Sequence, residues 1–317
     1  MKKIIYLLLL IGLQLHALPS NEAKNSLVIY GIRGPSGLGM IRLFEEPPAV
    51  PGFNVRVEAL AQADLLAARF IAGDAKIGIL PPNMAAKIAS SGKNIKAAAV
   101  VGMGMLSLLT FDPQIARIGD LAGKTVEAAG QGASPDYVFR RILLHHGLTP
   151  DVDVKLGFSL AYPEIAQSLI AGRISTALLP EPFASMALAG RPDLRQITDI
   201  QNEWRLITGG DNFPMTVLAV DGDFADSNPE ALRIIMSELE KSINWTIGHP
   251  VEAGSLSEKH GLGFPPGAAA AAVPKSNYVF IPALAARSSL ENLYRVFLEF
   301  SPVSIGGRLP ADDFYLK

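Results

Sequence analysis

The chain has 317 residues, which is enough for two domains that each have a hydrophobic core. Its formal net charge is −2 and it has no long run of like charge, which argues against nucleic acid and anionic membrane surfaces as partners. The 29 glycines and 23 prolines divide the 49% hydrophobic residues into short segments, which argues against a membrane bundle and a disordered chain. The sequence contains no cysteine, and this excludes disulfides, thiolate metal ligands, a cysteine nucleophile and a lipid-modified lipobox cysteine.

Residues 1–19 are predicted to be a cleavable signal peptide. Lys2 and Lys3 give a positive start, residues 4–13 are apolar, and Ala17 is a small residue that suits a cleavage point. The apolar segment is too short to span a bilayer comfortably, although an uncleaved N-terminal anchor is the alternative. We therefore expect a soluble protein in the periplasm.

Residues 26–107 are predicted to form the first part of an α/β lobe. Short apolar runs indicate strands, and helical periodicity with glycine at the end indicates helices. The predicted strands are 27–30, 53–57, 77–80 and 95–105, and the predicted helices are 40–44, 61–71 and 83–89. Because strands alternate with helices, we expect a mainly parallel sheet.

Residues 108–212 are predicted to form a second lobe. Ser134, Pro135 and Asp136 have the pattern of a helix start, with Ser134 as the N-cap and the proline as the first helical residue. The other predicted elements are a helical turn and strand within 118–126, helices 134–146, 163–171 and 184–189, and extended segments 152–158, 174–179 and 194–198.

Residues 213–317 are predicted to return to the first lobe. The apolar run 213–220 carries the chain back, and three helices follow, at 229–247, 252–260 and 288–300, with 263–274 as a loop that contains one short helical turn. The lobes would then be joined by two crossings, near 106–112 and 208–216. Two adjacent crossings suit hinge closure around a ligand.

The same local pattern occurs once in each predicted lobe. Residues 70–83 and 169–183 both consist of a helix end, a glycine, a short apolar strand and a proline turn. This repetition indicates two similar lobes that face each other, an arrangement that can clamp a ligand.

Ligands of open α/β sheets lie beside the carboxyl ends of the strands, and this places the candidate residues of the first lobe. The glycine-rich segment 34–39 opens a helix, so its free N–H groups could bind an oxyanion or carbonyl, with plain turn chemistry as the alternative. Its spacing fits neither a Walker loop nor a dinucleotide fingerprint. The candidates here are Arg33, Ser36, Gly37, Leu38, Pro82 and Asn83, although Arg33 could be a surface charge and Asn83 a helix cap.

Four candidates come from the second lobe. Gly132 and Ser134 belong to a loop that matches segment 34–39, with the N-cap role as the alternative for Ser134. Tyr162 offers an aromatic face and a phenol at a helix start, or packs in the core. Glu181 lies between two prolines and could accept hydrogen bonds from a ligand, or pair with an arginine across the hinge.

Two methionines complete the candidate site. Met103 and Met215 lie in or near the predicted cleft loops and would give the cleft an adaptable apolar wall.

Catalysis finds no support in the sequence. The five histidines form no metal-spaced or nucleophile-activating pattern, and we expect neither a metal, nor a cofactor, nor an enzyme. A ligand-sensing module and an enzyme on the same fold remain the alternatives to a transport role.

Taken together, these segments resemble the periplasmic substrate-binding proteins of ABC importers in the nitrate/sulfonate/taurine and thiamine-precursor (NMT1/THI5-like) group. The resemblance covers nearly all of the chain beyond residue 26, and five segments carry it in order: 72–79, 121–126, 148–152, 168–174 and 181–183. It implies a type II periplasmic-binding fold, α/β in class, and a monomer that delivers a small molecule to a permease and its ATPase. Members of the group often carry a lipobox cysteine or cleft tryptophans, and here Trp204 and Trp245 lie outside the candidate loops.

Two ligand chemistries stay open. A sulfonate could be held by Ser36, Ser134 and backbone N–H groups, whereas an aminopyrimidine-like ring could be held by Glu181 and Asn83. Bare nitrate would favour more donors and less methionine than the candidate loops contain.

Overall fold

Two β-sheets organise the chain in this computed structural model, which describes residues 25–210 and 212–317. The predicted signal peptide, 1–19, and its cleavage point lie outside the described residues. Within the described ranges, no helix has both the length and the apolar character needed to cross a membrane.

The strands follow one another along the described chain with the bounds β1 (Asn25–Ile32), β2 (Phe53–Leu60), β3 (Ile77–Leu80), β4 (Ile95–Met103), β5 (Leu106–Thr110), β6 (Thr125–Glu127), β7 (Lys155–Gly157), β8 (Thr176–Pro180), β9 (Arg195–Asp199), β10 (Pro214–Asp221) and β11 (Tyr278–Pro282). The helices between and after them are α1 (Pro35–Gly39), α2 (Ile41–Glu45), α3 (Ala63–Ala72), α4 (Pro82–Ser90), α5 (Ser134–His145), α6 (Tyr162–Ile170), α7 (Phe183–Gly190), α8 (Ile200–Thr208), α9 (Gly222–Ser227), α10 (Pro229–Gly248), α11 (Pro250–Lys259), α12 (Pro266–Ala272) and α13 (Arg287–Phe300). Short 3₁₀ turns cover Ile118–Leu121, Val273–Lys275, Pro302–Ile305 and Asp312–Phe314.

Each lobe is built on one of the two sheets. The sheet of lobe 1 has the order β11-β4-β10-β3-β1-β2, and the sheet of lobe 2 has the order β7-β6-β8-β5-β9. The predicted α/β class with two lobes is confirmed. Apolar side chains such as Ile29 and Leu218 in lobe 1, and Val126 and Leu178 in lobe 2, are fully buried between sheet and helices.

The prediction of a mainly parallel sheet holds for β1 to β4, which all run in one direction, but the complete sheets are mixed. β1 pairs with β2 in parallel from Asn25↔Phe53 to Ile32↔Leu60, whereas β10 runs antiparallel to both β3 and β4. β5 likewise runs antiparallel to β8 and β9. The reason is that β4 ends at the crossing between the lobes while β10 begins there, so these two neighbours must run in opposite directions.

The first crossing is shorter and earlier than predicted. β5 already belongs to the sheet of lobe 2, so the chain changes lobe at Gly104 and Met105, and not over 106–112; lobe 2 begins two residues before position 108. The return crossing runs between Thr208, where α8 ends, and Pro214. The Gly104 N–H donates to the Phe213 carbonyl at 2.7 Å, so the two crossings lie side by side. A Cβ atom at Gly104 would lie 2.6 Å from the Phe213 ring, so this close approach requires glycine.

Several local predictions also need correction. Helix α8 and strand β11 were not predicted, and the alanine-rich part of 263–274 forms helix α12, in keeping with the high helix propensity of alanine. Strand β7 covers only Lys155–Gly157, because Asp151 to Asp153 form a turn before it. Ser134 is the first residue of α5 and the N-cap is Ala133, whose extended backbone starts the helix one residue earlier than expected.

The last long helix touches both lobes. Helix α13 packs on α4 and β10 of lobe 1 and also on α5 of lobe 2. The Tyr137 ring of α5 stacks on Phe300 with centroids 5.7 Å apart and meets Phe297 edge-on at 5.1 Å. Arg141 and Glu299 add an ion pair of 3.2 Å at the same contact. The lobes are therefore joined by packed side chains as well as by the two crossings.

Candidate functional site

The loop before α5 presents polar groups at the edge of lobe 2. Gly130 and Gly132 have φ values of 75° and 76°, the left-handed region that glycine tolerates best. The Asp136 carboxylate accepts the Gly132 N–H at 2.8 Å. Ser134 is 2% exposed, yet its hydroxyl has no hydrogen-bond partner among the described residues. A buried hydroxyl in this condition is costly, and a ligand that bonds to it would remove that cost.

Asn83 brings the matching group from lobe 1. It is the second residue of α4, after Pro82, and its Nδ2 atom donates to the Gly132 carbonyl at 3.3 Å. Its Oδ1 atom is buried and meets no donor within the described part of the chain. The Tyr294 hydroxyl donates to the Pro82 carbonyl at 3.2 Å and anchors this end of α4. The N-terminal end of α4 thus contacts the loop that precedes α5 in the other lobe, and both helix N-termini carry partial positive charge.

The first-lobe loop is already satisfied by its own neighbours. The Ser36 hydroxyl donates to the Ile32 carbonyl at 3.0 Å and accepts the Ile32 N–H at 3.3 Å. Leu38 is fully buried in the core, and a Cβ atom on Gly37 would lie 3.1 Å from Leu262. Arg33 is exposed. This loop therefore packs rather than offering its side chains to a ligand.

Glu181 is a buried acid directly after β8. It is 3% exposed, and its Oε2 atom accepts the Ser185 N–H at 3.0 Å. Burial raises the pKa of this carboxyl above its ordinary value, while the hydrogen bonds from Ser185 and the charge of Lys275 oppose that shift. The peptide bond from Glu181 to Pro182 is cis. No arginine pairs with Glu181 within the described residues, so they do not contain the ion pair across the hinge that was the alternative role of this acid.

Lobe 1 contributes two residues near Glu181 that the sequence analysis missed. Lys275 donates to the Ser185 hydroxyl at 3.4 Å, which links the 3₁₀ turn after α12 to α7 across the lobes. Tyr278, the first residue of β11, donates its hydroxyl to the Pro35 carbonyl at 2.8 Å, and burial raises the pKa of its phenol.

Aromatic side chains connect the loop of Ser134 to Glu181. The Tyr162 hydroxyl donates to the Ala129 carbonyl at 3.0 Å, and its ring stacks on Phe183 with centroids 5.8 Å apart. Phe183 then meets Phe264 of lobe 1 edge-on at 5.6 Å. Burial raises the pKa of the Tyr162 phenol, which keeps it a neutral hydrogen-bond donor.

The remaining candidates lie near the crossings. Met103 is 7% exposed at the end of β4 and packs in the core, and Met215 is half-buried at the start of β10. A cavity of about 10 Å³ lies beside Ser36, Thr216 and Tyr278, which is room for about one water molecule. No group of three or more histidine, aspartate or glutamate side chains in the described ranges is placed to hold a metal ion.

Of the predicted site residues, the structure brings together Asn83, Gly132 and Ser134 at one end, and Tyr162 with the turn after Glu181 at the other. Arg33, Gly37, Leu38 and Met103 stand apart from this arrangement as surface or core residues.

Two mixed sheets joined by paired crossings form a type II periplasmic-binding fold, and solved structures share it. An ABC transporter protein from Parabacteroides distasonis superposes with a TM-score of 0.80 and 25% identity, covering 92% of this chain and 99% of that one. The aliphatic sulphonate binding protein SsuA from Escherichia coli gives 0.68 and 16%, covering 90% and 93%. The nitrate-binding protein NrtA from Synechocystis PCC 6803 gives 0.60 and 12%, covering 78% and 69%.

A sequence model of the NMT1-like family matches residues 54–250, well over half of the chain, and the protein belongs to this family. The resemblance stated from the sequence is therefore confirmed. No curated protein sequence matches the chain.

Proposed function

We propose that this protein is the periplasmic substrate-binding component of an ABC importer, and that it closes its lobes around a small organic molecule. The proposal rests on one observation. The Asn83 Oδ1 and Ser134 Oγ atoms are buried without partners in the described chain, and they belong to opposite lobes that touch at Gly132. The fold and the printed names of the similar structures support the importer role.

The acceptors in the site favour a ligand that carries N–H groups. Asn83 offers a free amide oxygen, and Glu181 offers a buried carboxyl of raised pKa. The stacked pair of Tyr162 and Phe183 suits a planar ring. We therefore propose an aminopyrimidine-like ligand as the first candidate, with its amino group on the acceptors and the Ser134 hydroxyl on a ring nitrogen.

A sulfonate is the second candidate, and the two helix N-termini favour it. An anion placed between α4 and α5 would meet partial positive charge from both lobes and the Ser134 hydroxyl. Ser36 takes no part in this version of the site, because its hydroxyl is bonded to Ile32.

Thermal unfolding of the full-length protein with 4-amino-5-hydroxymethyl-2-methylpyrimidine, ethanesulfonate, taurine and nitrate tests the proposal. A ligand at a hundredfold excess over its Kd adds about 2.7 kcal/mol of stability, which is readily measured. For the first candidate, Glu181→Gln should weaken binding of the pyrimidine, and Ser36→Ala should not. Binding of a sulfonate that Ser134→Ala weakens and Glu181→Gln leaves unchanged would select the second candidate. Absence of binding to every compound would contradict both ligand classes.

A further inference from the structure

A buried carboxylate lies behind loop 130–133 of lobe 2, which contacts lobe 1 through Gly132. Asp136 is the third residue of α5 and is 3% exposed. Its Oδ2 atom accepts the Gly132 N–H at 2.8 Å, and its Oδ1 atom accepts from Arg140 Nε at 2.5 Å. Both carboxylate oxygens are therefore occupied, one by the backbone of the loop and one by a guanidinium.

Arg140 extends this contact to the outer side of the lobe. Its Nη1 atom donates to Asp151 Oδ2 at 2.6 Å, and its side chain is only 16% exposed. Asp151 has a φ of 65°, and its second oxygen accepts the Leu156 N–H at 3.4 Å. The arginine thus spans two acids, which balances the buried charge of Asp136 and fixes its orientation.

The loop that Asp136 holds is the one that reaches lobe 1. The Gly132 N–H is bonded to Asp136, and the Gly132 carbonyl accepts from Asn83. Hydrogen bonds therefore run without a gap from Asp151 through Arg140, Asp136 and Gly132 to the opposite lobe.

We propose that Asp136, held in place by Arg140, is a positioning residue for ligand binding. It fixes loop 130–133 so that Gly132 meets Asn83 and the Ser134 hydroxyl stays in the cleft. The expected effect on ligand binding rests on the proposed function. The expected effect on the conformation of loop 130–133 does not. The competing explanation is that an acid in the first turn only stabilises α5.

The chain contains a matched control for that explanation. Arg287 of α13 also spans two acids, Glu291 one turn away at 2.6 Å and Asp312 at 2.6 Å. Neither acid bonds to a cleft loop in the described chain. Glu291→Gln removes the same kind of ion pair without touching the site.

The test compares Asp136→Asn, Arg140→Met and Arg140→Lys with Glu291→Gln in the full-length protein. Amide hydrogen exchange at Gly132, followed by NMR, reports the loop, and titration with the pyrimidine and with taurine reports binding. We expect Asp136→Asn and Arg140→Met to speed Gly132 exchange about tenfold and to raise the Kd about tenfold, a change of about 1.4 kcal/mol. Arg140→Lys should recover part of both effects. Because Asp136 is almost fully buried and Glu291 is less so, Asp136→Asn should lower the Tm more than Glu291→Gln does, so exchange of core amides is measured beside that of Gly132 to separate a local effect from global destabilisation.

Unchanged Gly132 exchange in both Asp136→Asn and Arg140→Met would overturn the positioning role, as would equal effects from Glu291→Gln. Faster exchange in a protein whose unaltered form binds neither probe would support the positioning role and contradict the proposed ligand chemistry. The two proposals can therefore fail separately.

Discussion

The two glycine-rich loops of the candidate site have similar sequences but differ in the hydrogen bonding of their serines. In segment 34–39 of lobe 1, Ser36 bonds back to Ile32 and Leu38 is fully buried. In segment 130–134 of lobe 2, Ser134 is buried without a partner in the described chain, and Gly132 reaches across to Asn83. Each loop combines glycines and a serine with a proline at the helix start, Pro35 in the first and Pro135 directly after the second, but of these two serines only Ser134 has a hydroxyl without a partner in the described chain.

The helices that follow the loops explain this difference. Helix α1 has five residues, so its loop and helix together form one tight turn in which the serine hydroxyl is within reach of Ile32. Helix α5 has twelve residues, and Ser134 is its first residue rather than its N-cap, so its hydroxyl makes no capping hydrogen bond. A similar composition therefore gives a packed turn in lobe 1 and, in lobe 2, a loop beside a buried hydroxyl that has no partner in the described chain.

The largest effect should come from removing the buried leucine of the first loop. Leu38→Ala leaves a cavity in a fully buried site, and we expect a loss of about 3 kcal/mol in the free energy of unfolding. Urea denaturation measures it, with Leu206→Ala as the control, because Leu206 is 76% exposed and should change stability by less than about 0.5 kcal/mol. Equal stability of the two variants would mean that the first loop does not pack as described.

The two serines should respond in opposite directions. Ser36→Ala removes two hydrogen bonds to Ile32, so we expect a loss of about 1 kcal/mol in stability with an unchanged ligand Kd. Ser134→Ala removes a buried hydroxyl without a described partner, so stability should stay level or rise by about 1 kcal/mol while binding weakens. Urea denaturation measures the stability of both variants, and ligand titration measures their Kd values. Equal changes in stability and in Kd for the two variants would contradict the difference between the two loops.

The smallest effect should be a pH dependence from the acid beside the second loop. The pKa of Glu181 is raised in the folded protein, so this group favours folding below its ordinary pKa of 4.5. That contribution is lost as the pH rises through the folded value. Glu181→Gln should therefore flatten the fall in stability from pH 4.5 upward. Denaturation at a series of pH values measures it, and an unchanged profile would contradict a raised pKa.

Much of the fold was predictable because apolar runs and helix punctuation are local signals. The strands at 27–30 and 77–80 and the helix ending before Gly73 follow from such signals and are present. Strand β11 and the direction of β10 were not predictable, since both depend on which distant strands they join. Helix α8 was missed because its amphipathic run begins directly after a strand.

The candidate site was predictable at the level of loops but less so at the level of atoms. Asn83, Gly132 and Ser134 follow from the rule that ligands lie at strand ends, and the structure places them together. Whether a serine hydroxyl is free or bonded depends on a few tenths of an ångström in a turn, which residue types do not specify. Lys275 and Tyr278 reach the site from a segment far along the chain, so no local pattern pointed to them.

The placement of strands along the chain also bears on how the protein is made. The strands of lobe 2 all lie between Leu106 and Asp199, so its sheet is available once that stretch has been synthesised. In lobe 1, β3 and β4 are joined only through β10, and the edge strand β11 comes later still. More than a hundred residues are therefore synthesised after β4 before β10, the strand that lies between β3 and β4, is complete. We therefore expect lobe 2 to complete its sheet before lobe 1 does.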